Sequence, residues 1–280
     1  MTRPPDRDGL NPVRLRLPDG AWPTVLDYLE QRFGAVRDGQ VLLPGGDPVT
    51  RETPYAAANF VWVYRDPRPE PPVPFEIEVL YRDADLLVVD KPHFLATMPR
   101  GRHVVETALV RLRRQLELPD LSPAHRLDRL TAGVLMFTVH PAARRKYQML
   151  FADRQVRKEY EAIAPYRRDL ALPTVVRSHI VKHRGVLQAH EIDAPPNTET
   201  AVQLLEVRGD HARYRLLPHT GKTHQLRVHL CGLGIPIVGD PLYPAVCGEP
   251  DDYANPLRLL ARSLHIDGHD FVSRRRLDWP

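Results

Sequence analysis

Asp128 lies between Arg126 and Arg129 in the run Ala124-His125-Arg126-Leu127-Asp128-Arg129-Leu130-Thr131-Ala132-Gly133, just before the apolar stretch Val134 to Val139. Coulomb attraction from neighbouring cations favours the charged form of a carboxylate. An ionised, positioned carboxylate is a nucleophile or general base. A second segment, Lys158-Glu159-Tyr160-Glu161-Ala162, has strand character. Alternation along a strand puts Lys158, Tyr160 and Ala162 on one face. A third, Pro218-His219-Thr220-Gly221-Lys222-Thr223-His224-Gln225-Leu226-Arg227-Val228-His229-Leu230, reads as a turn opening a helix, with Thr220 as its expected cap.

The elements that must position these residues follow from pattern. Val25, Leu26, Leu29 and Phe33 fall at helical spacing within residues 21–33, and Gly34 follows. Residues 41–43 and 60–64 read as strands. The prolines among residues 65–74 cannot sustain a helix or a central strand, so residues 67–74 are expected to link two domains. Beyond them, strands are predicted over 77–80, 86–89, 134–139, 158–164, 201–207, 212–217 and 259–266, and helices over 104–116, 142–151 and 223–233. Residues 1–12, rich in proline and charge, are expected to be a disordered tail. The predicted organisation is a small α/β module over 13–66, the linker, and a domain over 75–280. That domain is expected to be α+β, around a mixed or antiparallel sheet.

Composition narrows the class. The chain has 280 residues, is 42% hydrophobic and 26% charged, and carries a formal net charge of +4. A mildly basic balance is compatible with nucleic acid. Only five of its basic side chains are lysine and the rest are arginine, the better residue for forked phosphate contacts and base stacking. Cys231 and Cys247 make neither a disulfide framework nor a metal-ligand pattern. No apolar run reaches the ~18 residues of a membrane helix, and the first residues lack a signal-peptide core. A cytoplasmic, monomeric protein without a membrane segment is expected.

Together the segments around Asp128 and Arg227 resemble the RluA-type family of RNA pseudouridine synthases. The resemblance runs from about Phe75 to Leu264 and includes Asp90-Lys91-Pro92, Ala96-Thr97 and Gly234 to Tyr243, the last read as scaffold. Met98 departs from the family pattern, and Ala132 stands where the family usually has serine. The resemblance implies isomerisation of uridine to pseudouridine in ribosomal or transfer RNA, with no cofactor and no metal. It assigns the catalytic acid to Asp128, base stacking to Tyr160, and the basic partner of the acid to Arg227. Arg126 would enter the RNA as the base flips out, Leu226 would pack on the base, and His125 and Thr131 are further candidate substrate contacts. The first module resembles in outline the family's small RNA-binding domain, and a structural cap is an equal alternative.

Three other readings compete. A non-catalytic RNA-binding protein on a synthase scaffold should have lost Asp128, Tyr160 or Arg227, and all three are present. A metal-dependent hydrolase could use His219, His224 and His229. Five residues along a helix turn a side chain to about 140° away, too far to share one ion easily. A hydrolytic N-glycosidase would release free uracil, and a synthase releases none. Substrate choice is expected to lie in the first module, the linker and residues 167–192, where Arg177, Lys182, His183 and Arg184 could meet phosphate.

Overall fold

The computed structural model describes residues 4–36, 39–64, 69–247 and 251–280. The chain divides into two compact units, Met1–Pro71 with Val110–Pro119, and Pro72–Leu109 with Asp120–Pro280. The division at residue 71 falls within the proline-rich segment, whose residues 65–68 lie outside the described residues.

The first unit contains β1 (Val13–Arg16), α1 (Val25–Phe33), β2 (Val41–Leu42) and β3 (Phe60–Val63), in an antiparallel sheet of order β1-β3-β2. α1 begins at a capping box: the Asp27 amide donates to Thr24 Oγ1 at 3.1 Å, and the Thr24 amide donates to Asp27 Oδ2 at 3.0 Å. Val25, Leu26, Tyr28 and Leu29 are buried, with Tyr55 and Val61 beside them. Phe33, predicted on the same apolar stripe, is 60% exposed, because it sits in the last turn beyond the sheet core.

Residues 4–12, expected as disordered tail, are instead packed. Arg113 Nη1 donates to the Gly9 carbonyl at 3.1 Å and Arg114 Nε to that of Asp8 at 2.7 Å. Tyr64 donates to the Pro5 carbonyl at 2.7 Å. The arginines that hold this segment lie a hundred residues away in the chain, beyond the reach of local pattern.

The second unit is built on an eleven-stranded mixed sheet among the described residues. Its strands are β4 (Glu78–Arg82), β5 (Leu86–Lys91), β6 (Ser122–Pro123), β7 (Ala132–Thr138), β8 (Arg157–Pro165), β9 (Thr174–Val181), β10 (His190–Ile192), β11 (Thr198–Arg208), β12 (His211–Pro218), β13 (Leu259–Ile266) and β14 (His269–Val272). The main order is β10-β9-β11-β12-β8-β13-β7-β5-β4, with β14 on β13 and β6 on β7. Only β7 and β13 run parallel among the paired strands described. This is the α+β, mixed-sheet class the pattern predicted. The helices of this unit are α3 (Pro141–Ala152) and α4 (Gln225–Gly232), whereas α2 (Ala108–Leu116) belongs from Val110 onward to the first unit. α3 starts on Pro141, whose fixed φ suits the first helical position.

β7 is buried along its whole length, which explains its unbroken apolar run. Val134 and Met136 pack with Leu86, Val88, Tyr147, Leu264 and Ile266 in the core. Gly133 (φ +112°) lies opposite Ala261 of β13, where any Cβ would run into the Ala261 backbone. The helix predicted over 104–116 starts later, at Ala108. β9 had been predicted only as a charged stretch. Half-buried and exposed positions alternate over its first four residues, which fits a strand with one face toward solvent.

Candidate active site

Asp128 is presented by a turn between β6 and β7, and its shape is held from outside. The Thr131 amide donates to the Asp128 carbonyl at 3.1 Å, closing the turn. Thr97 Oγ1 donates to the Leu127 carbonyl at 2.9 Å and accepts from the Leu127 amide at 3.1 Å, so one hydroxyl fixes the residue before Asp128. The fully buried Lys91 donates to the carbonyls of Pro92, Leu95 and Arg129 at 2.9, 2.8 and 3.2 Å. Burial lowers its pKa, against the opposing pull of Asp128. His93 Nδ1 is 2.6 Å from the Leu130 carbonyl, and burial lowers its pKa to about 4. A neutral ring donating to that carbonyl fits both facts.

A cavity of about 700 Å³ opens in front of this turn. Asp128, Tyr160, Leu226 and Arg227 all line it, as do Arg126, His125 and Thr131. β8 delivers Tyr160 by alternation: Val156, Lys158 and Tyr160 face the cavity, while Glu159 and Glu161 bind Arg215 and Arg213 of β12. Burial, and then the charge of Asp128, raise the Tyr160 pKa, so the ring stays a neutral phenol. Leu226 is buried to 8% exposure and shares the wall. Arg126 is exposed at the rim and, among the described residues, makes no hydrogen bond or ion pair.

The expected pairing of Arg227 with Asp128 takes a different form. Arg227 is 3.8 Å from Asp128 Oδ2, but its hydrogen bonds go to Asp240: Nε to Oδ2 at 2.8 Å and Nη2 to Oδ1 at 2.6 Å. Both side chains are buried, at 2% and 0% exposure. Burial works against the Arg227 charge and the Asp240 bonds outweigh it, raising its pKa. Arg227 is therefore anchored by Asp240 and leans toward Asp128. Asp240 lies in the segment read as scaffold; the signal that could have revealed it was a lone acid between Gly239 and Pro241, following a helix with a buried arginine.

His125 serves the fold. Its Nε2 accepts the Met136 amide of β7 at 3.1 Å and its ring stacks on Phe151 at 4.7 Å. Burial lowers its pKa to about 3, so the ring is neutral where it lines the cavity. Thr131 is 3% exposed and acts through its backbone in the Asp128 turn.

α4 starts at His224 rather than near Thr220. His224 adopts a left-handed conformation (φ 58°), and Thr220 makes no cap. Thr220 Oγ1 instead accepts from the Glu199 amide at 2.9 Å and donates to Gln225 Oε1 at 2.8 Å, tying the turn to β11. The three histidines at five-residue spacing diverge. His219 is exposed, His224 faces Asp128, and buried His229 bonds Ser178 and Thr198. Among the described residues no group of three or more His, Cys, Asp or Glu could hold a metal ion. Nor is any described helix long and apolar enough to cross a membrane.

Asp128, Tyr160, Leu226 and Arg227 thus line one cavity. Residues 85–231 match the RNA pseudouridylate synthase family. The chain is 34% identical over 203 residues to the dual-specificity RNA pseudouridine synthase RluA of Escherichia coli (strain K12), covering 70% of this chain and 87% of that protein. It is 40% identical over 189 residues to the Homo sapiens pseudouridylate synthase RPUSD2, covering 65% of this chain but only 34% of the relative. The chain thus spans about a third of that human protein's length. In three dimensions it is similar to human RNA pseudouridylate synthase domain containing 1, with a TM-score of 0.59 at 28% identity, over 74% of this chain and 86% of that one. This chain belongs to the RNA pseudouridylate synthase family.

Proposed function

We propose that this protein isomerises uridine in structured RNA to pseudouridine, with Asp128 as its catalytic acid residue. The observation that carries the reading is the meeting of Asp128, Tyr160, Leu226 and Arg227 in one cavity of about 700 Å³, large enough for a flipped nucleoside. The uridine leaves its stack at a cost of a few kcal/mol. Arg126, free at the rim, fills the gap. Uracil rests on Tyr160, since stacking holds a ring while letting it turn in its plane.

Cleavage of the bond from C1′ to N1 develops positive charge at the sugar, as in glycoside chemistry. Asp128 acts on that sugar, as a nucleophile at C1′ or a base at C2′. The freed base turns and C5 bonds to C1′. Arg227, anchored on Asp240, holds a fixed positive charge beside the carboxylate throughout. No atom enters or leaves and no redox change occurs, so the reaction as proposed uses neither cofactor nor metal.

The expected substrates are ribosomal or transfer RNA, and the protein is expected to work in the cytoplasm as a monomer. The relative RluA is described as dual-specificity, which is compatible with either RNA. Pseudouridine mapping of total RNA from cells with and without the gene, alongside rescue by Asp128→Asn, tests the reading. A uridine whose modification returns only with the active form supports it. No difference at any position overturns it in favour of a non-catalytic RNA-binding protein. Activity that disappears with a chelator and returns with added metal would overturn the metal-free mechanism.

A further inference from the structure

His224 stands between the catalytic acid and a tyrosine. Its Nε2 is 3.9 Å from Asp128 Oδ2, and its Nδ1 is 3.0 Å from the Tyr243 hydroxyl. That hydroxyl is already committed. It accepts from the Ala189 amide at 2.7 Å and donates to the Ala189 carbonyl at 2.8 Å. A phenol has one hydrogen and two lone pairs. With the hydrogen on the Ala189 carbonyl, His224 Nδ1 must be the donor. In the neutral ring the lone pair is then on Nε2, toward the cavity and Asp128.

The backbone supports a purpose for this ring. His224 is left-handed (φ 58°), a conformation that is strained for a side-chain-bearing residue and that glycine adopts freely. An imidazole is nonetheless held there, lining the cavity. Burial lowers its pKa, Asp128 and Asp240 raise it, and Arg227 and Lys182 lower it. The net is a ring below its ordinary value, neutral and basic near pH 7.

We propose that His224 is the base that removes the C5 proton of the rearranged uracil. The inference rests on the pseudouridine reading above and supplies a step that reading leaves open. Once C5 is bonded to C1′, C5 still carries its hydrogen and the ring holds a C6=N1 double bond. His224 Nε2 takes the proton. The C5–H pair becomes C5=C6, the C6=N1 π pair moves onto N1, and N1 takes a proton from water. The imidazolium later returns its proton to solvent, so nothing is gained or lost. Whichever way Asp128 acted on the sugar, it is again a free carboxylate by then. The imidazolium therefore forms next to an opposite charge.

The test uses the full chain and an RNA hairpin carrying the mapped uridine, with protium or deuterium at C5. Three variants serve: His224→Asn, His224→Gly and Tyr243→Phe. Asparagine tolerates the left-handed backbone and its amide can still donate to Tyr243, but it offers no base. We expect His224→Asn to bind the hairpin as wild type does and to turn over about 10²–10⁴-fold more slowly. A primary isotope effect at C5 should appear or grow in it, and the acid limb of the wild-type pH–rate profile should vanish. His224→Gly, at ease with φ 58°, should regain turnover with added imidazole. Tyr243→Phe, which frees the ring to change tautomer, should show a smaller loss and a larger isotope effect than wild type. Near-normal turnover in His224→Asn would overturn the proposal. So would a loss with an unchanged isotope effect and no imidazole rescue. A wild-type protein that makes no pseudouridine in any RNA would overturn the reading beneath it instead.

Discussion

The Arg227 guanidinium makes two hydrogen bonds to Asp240, at 2.8 and 2.6 Å, and reaches only to 3.8 Å from Asp128. The buried fork spends its geometry on one acid and its remaining field on another. Asp240 is itself fixed, since its Oδ1 also accepts the amides of Leu242 and Tyr243 at 2.8 and 3.2 Å. The positive charge near Asp128 is thereby placed without a direct hydrogen bond to that carboxylate.

Removing one partner of this pair should damage stability as well as turnover. Arg227→Ala leaves the Asp240 carboxylate buried and unpaired, which costs about 3–5 kcal/mol. The double variant Arg227→Met, Asp240→Asn removes both charges and keeps an oxygen for the two amides. It should recover much of the denaturation midpoint in urea while staying inactive. A double variant that regained activity would show that the charge beside Asp128 is dispensable.

Asp128→Asn should fold normally and still bind RNA, because the turn is held by Thr97, Lys91 and Thr131 backbone contacts that do not involve the carboxylate. Its turnover should fall by at least about 10²–10⁴-fold, the range for losing a positioned acid–base group. Tritium release from 5-tritiated uridine in RNA measures this directly. Substantial release by the variant would remove Asp128 from the mechanism.

Thr97→Val should disturb catalysis from a distance. It deletes both hydrogen bonds to Leu127 and strands a buried amide and carbonyl, at about 1–3 kcal/mol. Turnover should fall, and Thr97→Ser should restore it. Equal loss in both variants would mean the hydroxyl does not position the Asp128 turn.

Tyr160→Phe should keep most activity, since the raised phenol pKa marks a group used as a flat neutral ring. Tyr160→Leu should lose about 1–3 kcal/mol of base stacking, read as weaker RNA engagement and slower turnover. A large defect in Tyr160→Phe would indicate that the hydroxyl takes part in the chemistry.

Acid should destabilise the fold through its buried histidines. Burial lowers His125 to about 3 and His93 to about 4, while both sit near 6.5 when unfolded. Between those values the unfolded chain binds more protons, so stability rises with pH. The contribution is complete above about pH 6.5 and is lost progressively as pH falls toward 4 and 3. Urea midpoints at pH 5 and pH 7 should differ in that direction. His125→Gln, which keeps an acceptor for Met136 but does not titrate, should shrink the difference; an unchanged slope would show that His125 is already protonated in the fold.

Much of this was legible in the chain. The apolar residues 134–137 lie in a strand buried on both faces, and the alternation at 158–162 places Lys158 and Tyr160 toward one cavity. Local physics marks Asp128 as a carboxylate held ionised between two arginines, and the resemblance to the pseudouridine synthases points to Leu226 and Arg227. Tail order, the late start of α4 and the strand at 174–181 were not legible. Each depends on partners distant in sequence: Arg113 and Arg114 for the tail, Glu199 for Thr220, and β11 for β9.

The sequence by itself determined the main segments and their secondary structure, since propensity and periodicity act over neighbouring residues, and its family resemblance pointed to the side chains. Tertiary structure alone decided what those side chains bind. It gave Arg227 to Asp240, turned His125 into a neutral acceptor beneath β7, and aimed the open nitrogen of His224 at Asp128. Charge pairing and tautomer choice are set by burial and by groups brought together across the fold, and no local pattern encodes either.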